Sequence, residues 1–294
     1  MVMRNECAVC ILNQIIRATN YMDLDKNKSD LIFKEALRKT FETGYSGMTP
    51  PFYSGKIYDA VAGLTGNGDP YKKLRKEQND LILNNIELFR NRIGGSDDPL
   101  FTSLFYSLLG NIIDYGGVEI FDTEQIFNDL DGIEIRVNDY DKLKEKLESA
   151  ASILIISDNA GEAVFDMLFM EQLKLKSSEL KITYGVRSGP AINDVIKEDA
   201  EYIGIGEYAE IVETGSTYAG TMISHSDPDF VEIYKSSDIV ISKGQGNFET
   251  LEMETGKDIF FVFKVKCKIV EEYTGLSLNS LVMGFRGPDF RFSV

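Results

Sequence analysis

Apolar residues in the first half of the chain recur at helical spacing. Cys10 to Thr19 carries Ile11, Ile15, Ile16 and Ala18. Ser29 to Phe41 carries Leu31, Ile32, Phe33, Ala36 and Leu37 behind a capping Ser29-Asp30, and Tyr71 to Arg92 runs through Leu74, Leu81, Ile82, Ile86 and Phe89. Pro99 to Ile113 is strongly apolar, with Asp97 or Asp98 placed as an N-cap and Pro99 just inside the helix. Gly44, Pro50, Pro51, Gly66, Gly68, Pro70, Gly94 and Gly95 punctuate these segments as breakers.

After about residue 150 the pattern changes. Short apolar runs, strand-sized, alternate with helical stretches. Strands are expected at Ser152 to Ile156, Leu180 to Val186, Ala209 to Glu213, Ile239 to Ser242 and Ile259 to Lys266. Helices are expected at Gly161 to Leu175, Ile192 to Tyr202, Pro228 to Ser236, from about Asn247, and at Cys267 to Tyr273. This alternation predicts an α/β fold: a Rossmann-like, mostly parallel sheet with helices on both faces, preceded by an N-terminal α-helical domain. The boundary is expected near 145, giving a mainly helical domain over 1–145 and an α/β domain over 146–294. Connections should be right-handed, and ligands should sit beyond the carboxyl ends of the strands.

Composition narrows the function. The formal net charge of −16 argues against a generic nucleic-acid binder and against adhesion to anionic membranes. No apolar run approaches the roughly 20 residues of a membrane span, and the first residues do not read as a signal peptide, so a cytoplasmic protein is expected. Three cysteines, Cys7, Cys10 and Cys267, provide no disulfide framework. Cys7-x-x-Cys10 reads as two packed thiols, half a zinc site or a redox pair. His225 sits in a polar loop, too isolated to build a nucleophilic triad.

The strand ends carry the chemistry. Ser157-Asp158-Asn159-Ala160-Gly161-Glu162 follows the first strand of the second half. A carboxylate beside an amide oxygen suits Mg²⁺ or Mn²⁺, although Asp158 reads equally as a helix cap. Val186-Arg187 leads through Gly189-Pro190 to Asn193-Asp194, a second oxygen-rich pair delivered to the same sheet edge. Ser242-Lys243-Gly244-Gln245-Gly246-Asn247-Phe248-Glu249 offers glycines whose neighbouring amides can face a phosphate, with Lys243 as a cation or as a solvated turn residue. Thr214-Gly215-Ser216 with Gly220-Thr221 is either a further crevice wall or only a loop. Asn111 and Asp114 either cap their apolar helix or face the crevice.

Taken in order, these segments resemble the damage-control phosphatases, and the Cys pair is similar to their prokaryotic branch. The resemblance adds Phe165-Asp166, Asp199-Ala200 and Lys264-Val265-Lys266-Cys267 to the motifs above. It implies a phosphomonoester hydrolase using Mg²⁺, Mn²⁺, Co²⁺ or Ni²⁺ on small phosphorylated metabolites: sugar phosphates, cofactor fragments or damaged metabolites. It implies metal on Asp158, Asn159 and Asp194, with Lys243 at the phosphate. Asp158, Asp194 and Lys243 are then the expected catalytic groups. Lys243, Gly244, Asn247, Glu249, Asn111, Asp114, Arg187 and Ser216 are expected at the substrate, and Glu162 and Asn193 behind the ligands. The rival readings are a carboxyl methyltransferase using S-adenosylmethionine and a non-catalytic metal- or metabolite-binding protein.

Overall fold

The computed structural model describes residues 1–22, 24–110, 133–254 and 256–286. The chain opens with helices α1 (Asn5–Tyr21), α2 (Lys26–Thr43), α3 (Pro50–Thr65), α4 (Lys72–Leu83), α5 (Ile86–Gly94) and α6 (Pro99–Leu109). Strand β1 (Ile135–Asn138) and helix α7 (Tyr140–Leu147) follow. Then come β2 (Ser152–Ile156), α8 (Glu162–Lys176), β3 (Lys181–Val186), α9 (Lys197–Ile203), β4 (Glu210–Glu213) and α10 (Pro228–Ser236). The chain continues through β5 (Ile239–Lys243), α11 (Gly244–Leu251), β6 (Ile259–Lys264), α12 (Lys268–Thr274) and β7 (Leu281–Phe285).

The strands form one seven-stranded sheet in the order β1-β7-β6-β5-β2-β3-β4. Every pairing is parallel except β6 with β7. Side chains alternate across it as the strand period demands. Ile153, Ile155, Tyr184 and Ile241 face one core with Ile82, Phe89, Leu104, Phe165 and Phe169. Leu154, Ile156, Val240 and Phe261 face the other with Ile15, Tyr53, Ile57, Phe230 and Phe248. The mostly parallel sheet flanked by helices is therefore as the sequence pattern predicts. The N-terminal helices divide between the layers: α1 to α3 pack on one face and α4 to α6 on the other. Each fully buried aliphatic or aromatic side chain contributes about 1.5–3 kcal/mol.

Four departures from the sequence pattern are local. The helix expected over 71–92 breaks between α4 and α5, where Asn85 Nδ2 donates to Leu81 O at 2.9 Å and diverts that carbonyl. The helix expected from Ile192 begins only at Lys197, because 189–196 forms an irregular turn. Asp25, not Ser29, caps α2, its Oδ1 accepting from Lys28 N at 3.0 Å. Strand β1 lies ahead of residue 145 yet pairs with β7, so the sheet reaches into the first half of the chain.

Candidate active site

β2, β3 and β5 are neighbours, and their carboxyl ends open onto one cavity of about 650 Å³. Asp158, Asn159, Asn193, Asp194, Gln245, Gly246 and Glu249 line it, joined across the cavity by Cys7, Gln14 and Arg17 of α1. The chain after β2 and the chain after β3 are tied together by backbone bonds. Val195 N donates to Asp158 O at 2.8 Å and Ala160 N to Asn193 O at 2.9 Å, with Asn159 and Asp194 bridged as a short β-pair. This stitching sets two buried carboxylates, Asp158 and Asp194, beside each other.

Neither carboxylate caps the helix that follows it in the chain. The N-cap of α8 is Gly161, with no side-chain bond. The first turn of α9 is closed by Asp199, whose Oδ2 accepts from Ile196 N at 3.2 Å. Asp194 Oδ2 instead accepts from Arg187 Nε at 2.8 Å. Burial, partly offset by Arg187 and reinforced by the charge of Asp158, pushes the Asp194 carboxyl well above its ordinary value. Asp158 Oδ2 accepts from Asn159 Nδ2 at 2.8 Å and lies against the first residue of α11. A Cβ on Gly244 would sit 2.0 Å from that oxygen, and the Gly244 φ of +78° also favours glycine. Ile192, two residues before Asp194, holds a φ of +53°. For a β-branched residue this is a strained conformation, costing about 1–3 kcal/mol, of the kind concentrated at functional sites.

Four residues expected at the substrate stand elsewhere. Lys243 turns away from the strand end into a buried cluster: Nζ donates to Glu162 Oε1 and Asp166 Oδ1, both at 2.6 Å, and to Ser107 O at 3.1 Å. Its three protons are thus used. Burial opposes its charge, but Asp166 and Glu162 outweigh burial and raise its pKa. Asp166 further accepts from Ser107 Oγ at 2.5 Å and Tyr184 OH at 2.8 Å. Arg187 is fully buried, donating to Asp194, to Thr221 Oγ1 at 2.6 Å and to Asn247 Oδ1 at 3.0 Å. Asn247 Nδ2 donates to Ser157 O and Lys243 O, both at 2.8 Å, locking β2 to β5. Ser216 Oγ donates to Gly220 O at 3.0 Å and shapes its own loop. These four side chains orient the backbone and the carboxylates, and none lines the cavity. Asn111 and Asp114 lie outside the described residues.

The cavity supplies cations of its own. Lys266 lies near enough to Asp194 and Glu249 to lower both their pKa values. Gln245, at the N-terminus of α11, donates through Nε2 to Glu249 Oε1 at 2.8 Å and accepts through Oε1 from Lys266 N at 2.7 Å. Burial lifts the Glu249 carboxyl to about 7, with Gln245 and the Met1 amino group opposing and Asp158 adding to the rise. Glu162 is lifted too, by burial first, against the pull of Lys243.

Sequence reading missed Gln78, Asn79 and Arg75, which fasten the helical half to the site. Asn193 Nδ2 donates to Gln78 Oε1 at 3.2 Å, Gly161 N to Asn79 Oδ1 at 2.7 Å, and Arg75 Nε to Asp199 Oδ2 at 2.6 Å. No local motif marks them. Cys267 joins Cys7 and Cys10 at the cavity wall, while His225 packs on Phe52 with ring centroids 5.0 Å apart. Among the described residues, no three His, Cys, Asp or Glu side chains form a metal-holding group. The three cysteines are free thiols in the cavity wall.

The donors that fit a hard divalent cation are Asp158, Asn159 and Asp194: oxygens from three side chains on stitched segments, two of them carboxylates whose mutual repulsion a cation would relieve. Fold and site together define an α/β protein with an oxygen-donor pocket at the carboxyl edge of its sheet. The damage-control phosphatase ARMT1-like domain matches residues 3–282, and the chain belongs to that family. It is 27% identical over 287 residues to a damage-control phosphatase of Pyrococcus horikoshii, covering 96% of this chain and 97% of the relative. It is also 27% identical over 283 residues to a damage-control phosphatase of Archaeoglobus fulgidus, covering 94% and 96%. An uncharacterized protein of Methanocaldococcus jannaschii is 28% identical over 286 residues, covering 95% and 93%. A crystal structure of a DUF89 family protein from Pyrococcus horikoshii superposes with a TM-score of 0.90 at 24% identity, covering 98% of this chain and all of that one, and so shares its fold. Among the described residues, no helix is long and apolar enough to cross a membrane.

Proposed function

We propose that the chain is a divalent-metal-dependent phosphatase that hydrolyses phosphomonoesters of small metabolites. The observation that carries this reading is the pairing of Asp158 and Asp194, two buried carboxylates set side by side on a cavity wall. Arg187 takes one oxygen of Asp194 and no more. Asp158, Asn159 and Asp194 would hold Mg²⁺, Mn²⁺, Co²⁺ or Ni²⁺. Such an ion supplies Lewis-acid polarisation of the phosphoryl group and lowers the pKa of a water.

The remaining roles fall to the chain's own groups. Lys266 and the amides at the start of α11 offset charge on the phosphate. Glu249, poised near neutral pH at the cavity wall, accepts and returns a proton. Lys243, Glu162 and Asp166 brace α8 and β5 behind the site. Arg187 and Asn247 orient Asp194 and the strand ends. These are positioning roles, in place of the substrate contacts expected of Lys243, Arg187 and Asn247. The helices α1 and α3 cover the crevice and keep bulk water from it. Relatives named as phosphatases weigh against the carboxyl methyltransferase.

The test is phosphate release from a panel of phosphomonoesters by EDTA-stripped protein, with and without each cation, alongside Asp158→Asn. Release restored by a cation in the wild type and lost in the variant, at unchanged melting temperature, is the expected result. Full activity in Asp158→Asn overturns the assignment. Silence from every ester while Mn²⁺ still binds would instead make the chain a binding protein.

A further inference from the structure

Helix α1 forms one wall of the cavity from end to end. Cys7, Cys10, Gln14, Arg17 and Tyr21 follow one another at intervals of three or four residues, a single helical face, and all line the cavity. At 1.5 Å per residue, Cys7 to Tyr21 spans about 21 Å. The Cys7 end lies by Glu249 and hence by the Asp158 pole, since the charges of Cys7 and Glu249 and of Glu249 and Asp158 act on each other. Arg17 lies about 10 Å of helix rise beyond Cys10. A phosphate with one or two carbons would leave that far end unfilled.

Among the described residues, two polar groups at the far end lack protein partners. Gln14 Oε1 is buried and accepts no hydrogen bond from a described residue. Arg17, an exposed side chain of the cavity wall, makes no ion pair or hydrogen bond among the described residues. It lies among Cys10, Tyr58 and Tyr71, whose ionisation its charge favours. The rings of Tyr21 and Tyr71, with centroids 5.2 Å apart, frame the same end. A buried acceptor without a donor is destabilising unless a ligand supplies the proton.

We propose that this far end selects the substrate: Arg17 takes a carboxylate, and Gln14 Oε1 accepts a hydrogen bond from a hydroxyl or ammonium on the adjoining carbon. The preferred substrates are then phosphomonoesters of hydroxy or amino acids, not of neutral alcohols. Arginine's planar fork matches carboxylate and phosphate alike. Gln14 Oε1 bears on the choice, because an α-hydroxy or α-amino acid sets a donor on the carbon next to its carboxylate, three residues along the helix face from Arg17, whereas a second phosphate ester interposes its bridging oxygen and carbon before the nearest hydroxyl. The proposal rests on the phosphatase reading for the near end of the cavity.

The experiment compares 6-phosphogluconate with sorbitol 6-phosphate, which share the phosphate and chain length and differ at the far carbon. Wild type and Arg17→Met are assayed with the metal that best restores activity. Binding of both compounds is measured in parallel by titration calorimetry. A charged hydrogen bond of about 1.5–3 kcal/mol corresponds to roughly 10- to 100-fold preference for the acid, carried in KM. Arg17→Met should collapse that preference to about twofold, whereas Gln14→Met, which removes the acceptor for the C2 hydroxyl that both compounds carry, should weaken both alike and leave the preference near its wild-type value. Equal kcat/KM for the two compounds in the wild type, or a preference unchanged in Arg17→Met, overturns the proposal. If neither compound is hydrolysed while other phosphomonoesters are, the proposal is overturned and the phosphatase reading stands. If no phosphomonoester is hydrolysed, the phosphatase reading fails, and the calorimetric preference and its loss in Arg17→Met decide the subsite separately.

Discussion

Arg187 Nε stands 2.8 Å from Asp194 Oδ2, and both side chains are buried. The carboxylate assigned to the metal is therefore also the counter-ion of a buried guanidinium. Removing it leaves Arg187 uncompensated, which costs about 3–5 kcal/mol in comparable buried pairs. Asp194→Ala should lose metal-dependent activity and also melt well below the wild type. Loss of activity in this variant alone says little about catalysis. Thermal denaturation of Asp194→Ala beside Asp158→Asn separates the two effects. If Asp194→Ala melts with the wild type, the Arg187 pair does not hold the site together.

Lys243 provides a second test of position against contact. Its ammonium neutralises Glu162 and Asp166 inside the protein. Lys243→Met strands two carboxylates, and the fold should weaken by about 3–5 kcal/mol. Glu162, already raised by burial, then loses the cation that opposes the rise. The stability it lends is full below its unfolded pKa of about 4.3 and is lost as pH rises through the folded value. The variant should accordingly be rescued at mildly acid pH, with KM for a phosphoester close to that of the wild type. A large rise in KM in an otherwise stable Lys243→Met protein would return Lys243 to the phosphate.

Periodicity made most of the fold legible. The strands from β2 to β6 are long enough in Val, Ile and Phe to announce themselves, and the motifs after them carry Asp158, Asn159 and Asp194 to one edge. The irregular turn at 189–196 was not legible, because nothing in Ile192 announces a positive φ. Strand β1 is short and half polar, Ile-Arg-Val-Asn, and joins the sheet through its pairing with β7. For side chains, identity was legible and direction was not. Lys243 and Arg187 look like phosphate ligands in a motif. Only the packing of α8 and of the 214–221 loop shows that their charges are already used. The far wall made by α1 joins residues some 150–250 positions apart, a relationship that no local pattern encodes.

Glu249 should make stability depend on pH. Its carboxyl titrates near 4.3 when unfolded and is held up to about 7 in the fold, by burial above all. Between those values the folded chain binds more protons than the unfolded chain, so stability falls as pH rises. The contribution is full below about pH 4.3 and is gone once pH has passed through 7. Glu249→Gln removes this titration and keeps an acceptor for Gln245. In EDTA its melting temperature should decline less steeply than the wild type's from pH 5 to 8, leaving it several degrees more stable at pH 8 at about 2–4 °C per kcal/mol. Parallel melting curves across that range would mean that Glu249 is already solvated.

The contact between Gly244 and Asp158 yields the sharpest local test. A Cβ at residue 244 would fall 2.0 Å from Asp158 Oδ2, and the φ of +78° adds strain of its own. Gly244→Ala must therefore push the Asp158 carboxylate out of place. A displacement of about 1 Å at a reacting centre costs on the order of 100-fold in rate. Gly66 closes α3 with a φ of +67° and open space around it. Gly66→Ala thus carries the same backbone strain, about 1–2 kcal/mol, without touching the site. Both variants should lose the stability that the shared backbone strain costs, Gly244→Ala somewhat more for its clash, and only Gly244→Ala should lose metal-dependent phosphate release. Equal activity in the two would show that Asp158 moves without consequence, and the metal would have to be sought elsewhere on the cavity wall.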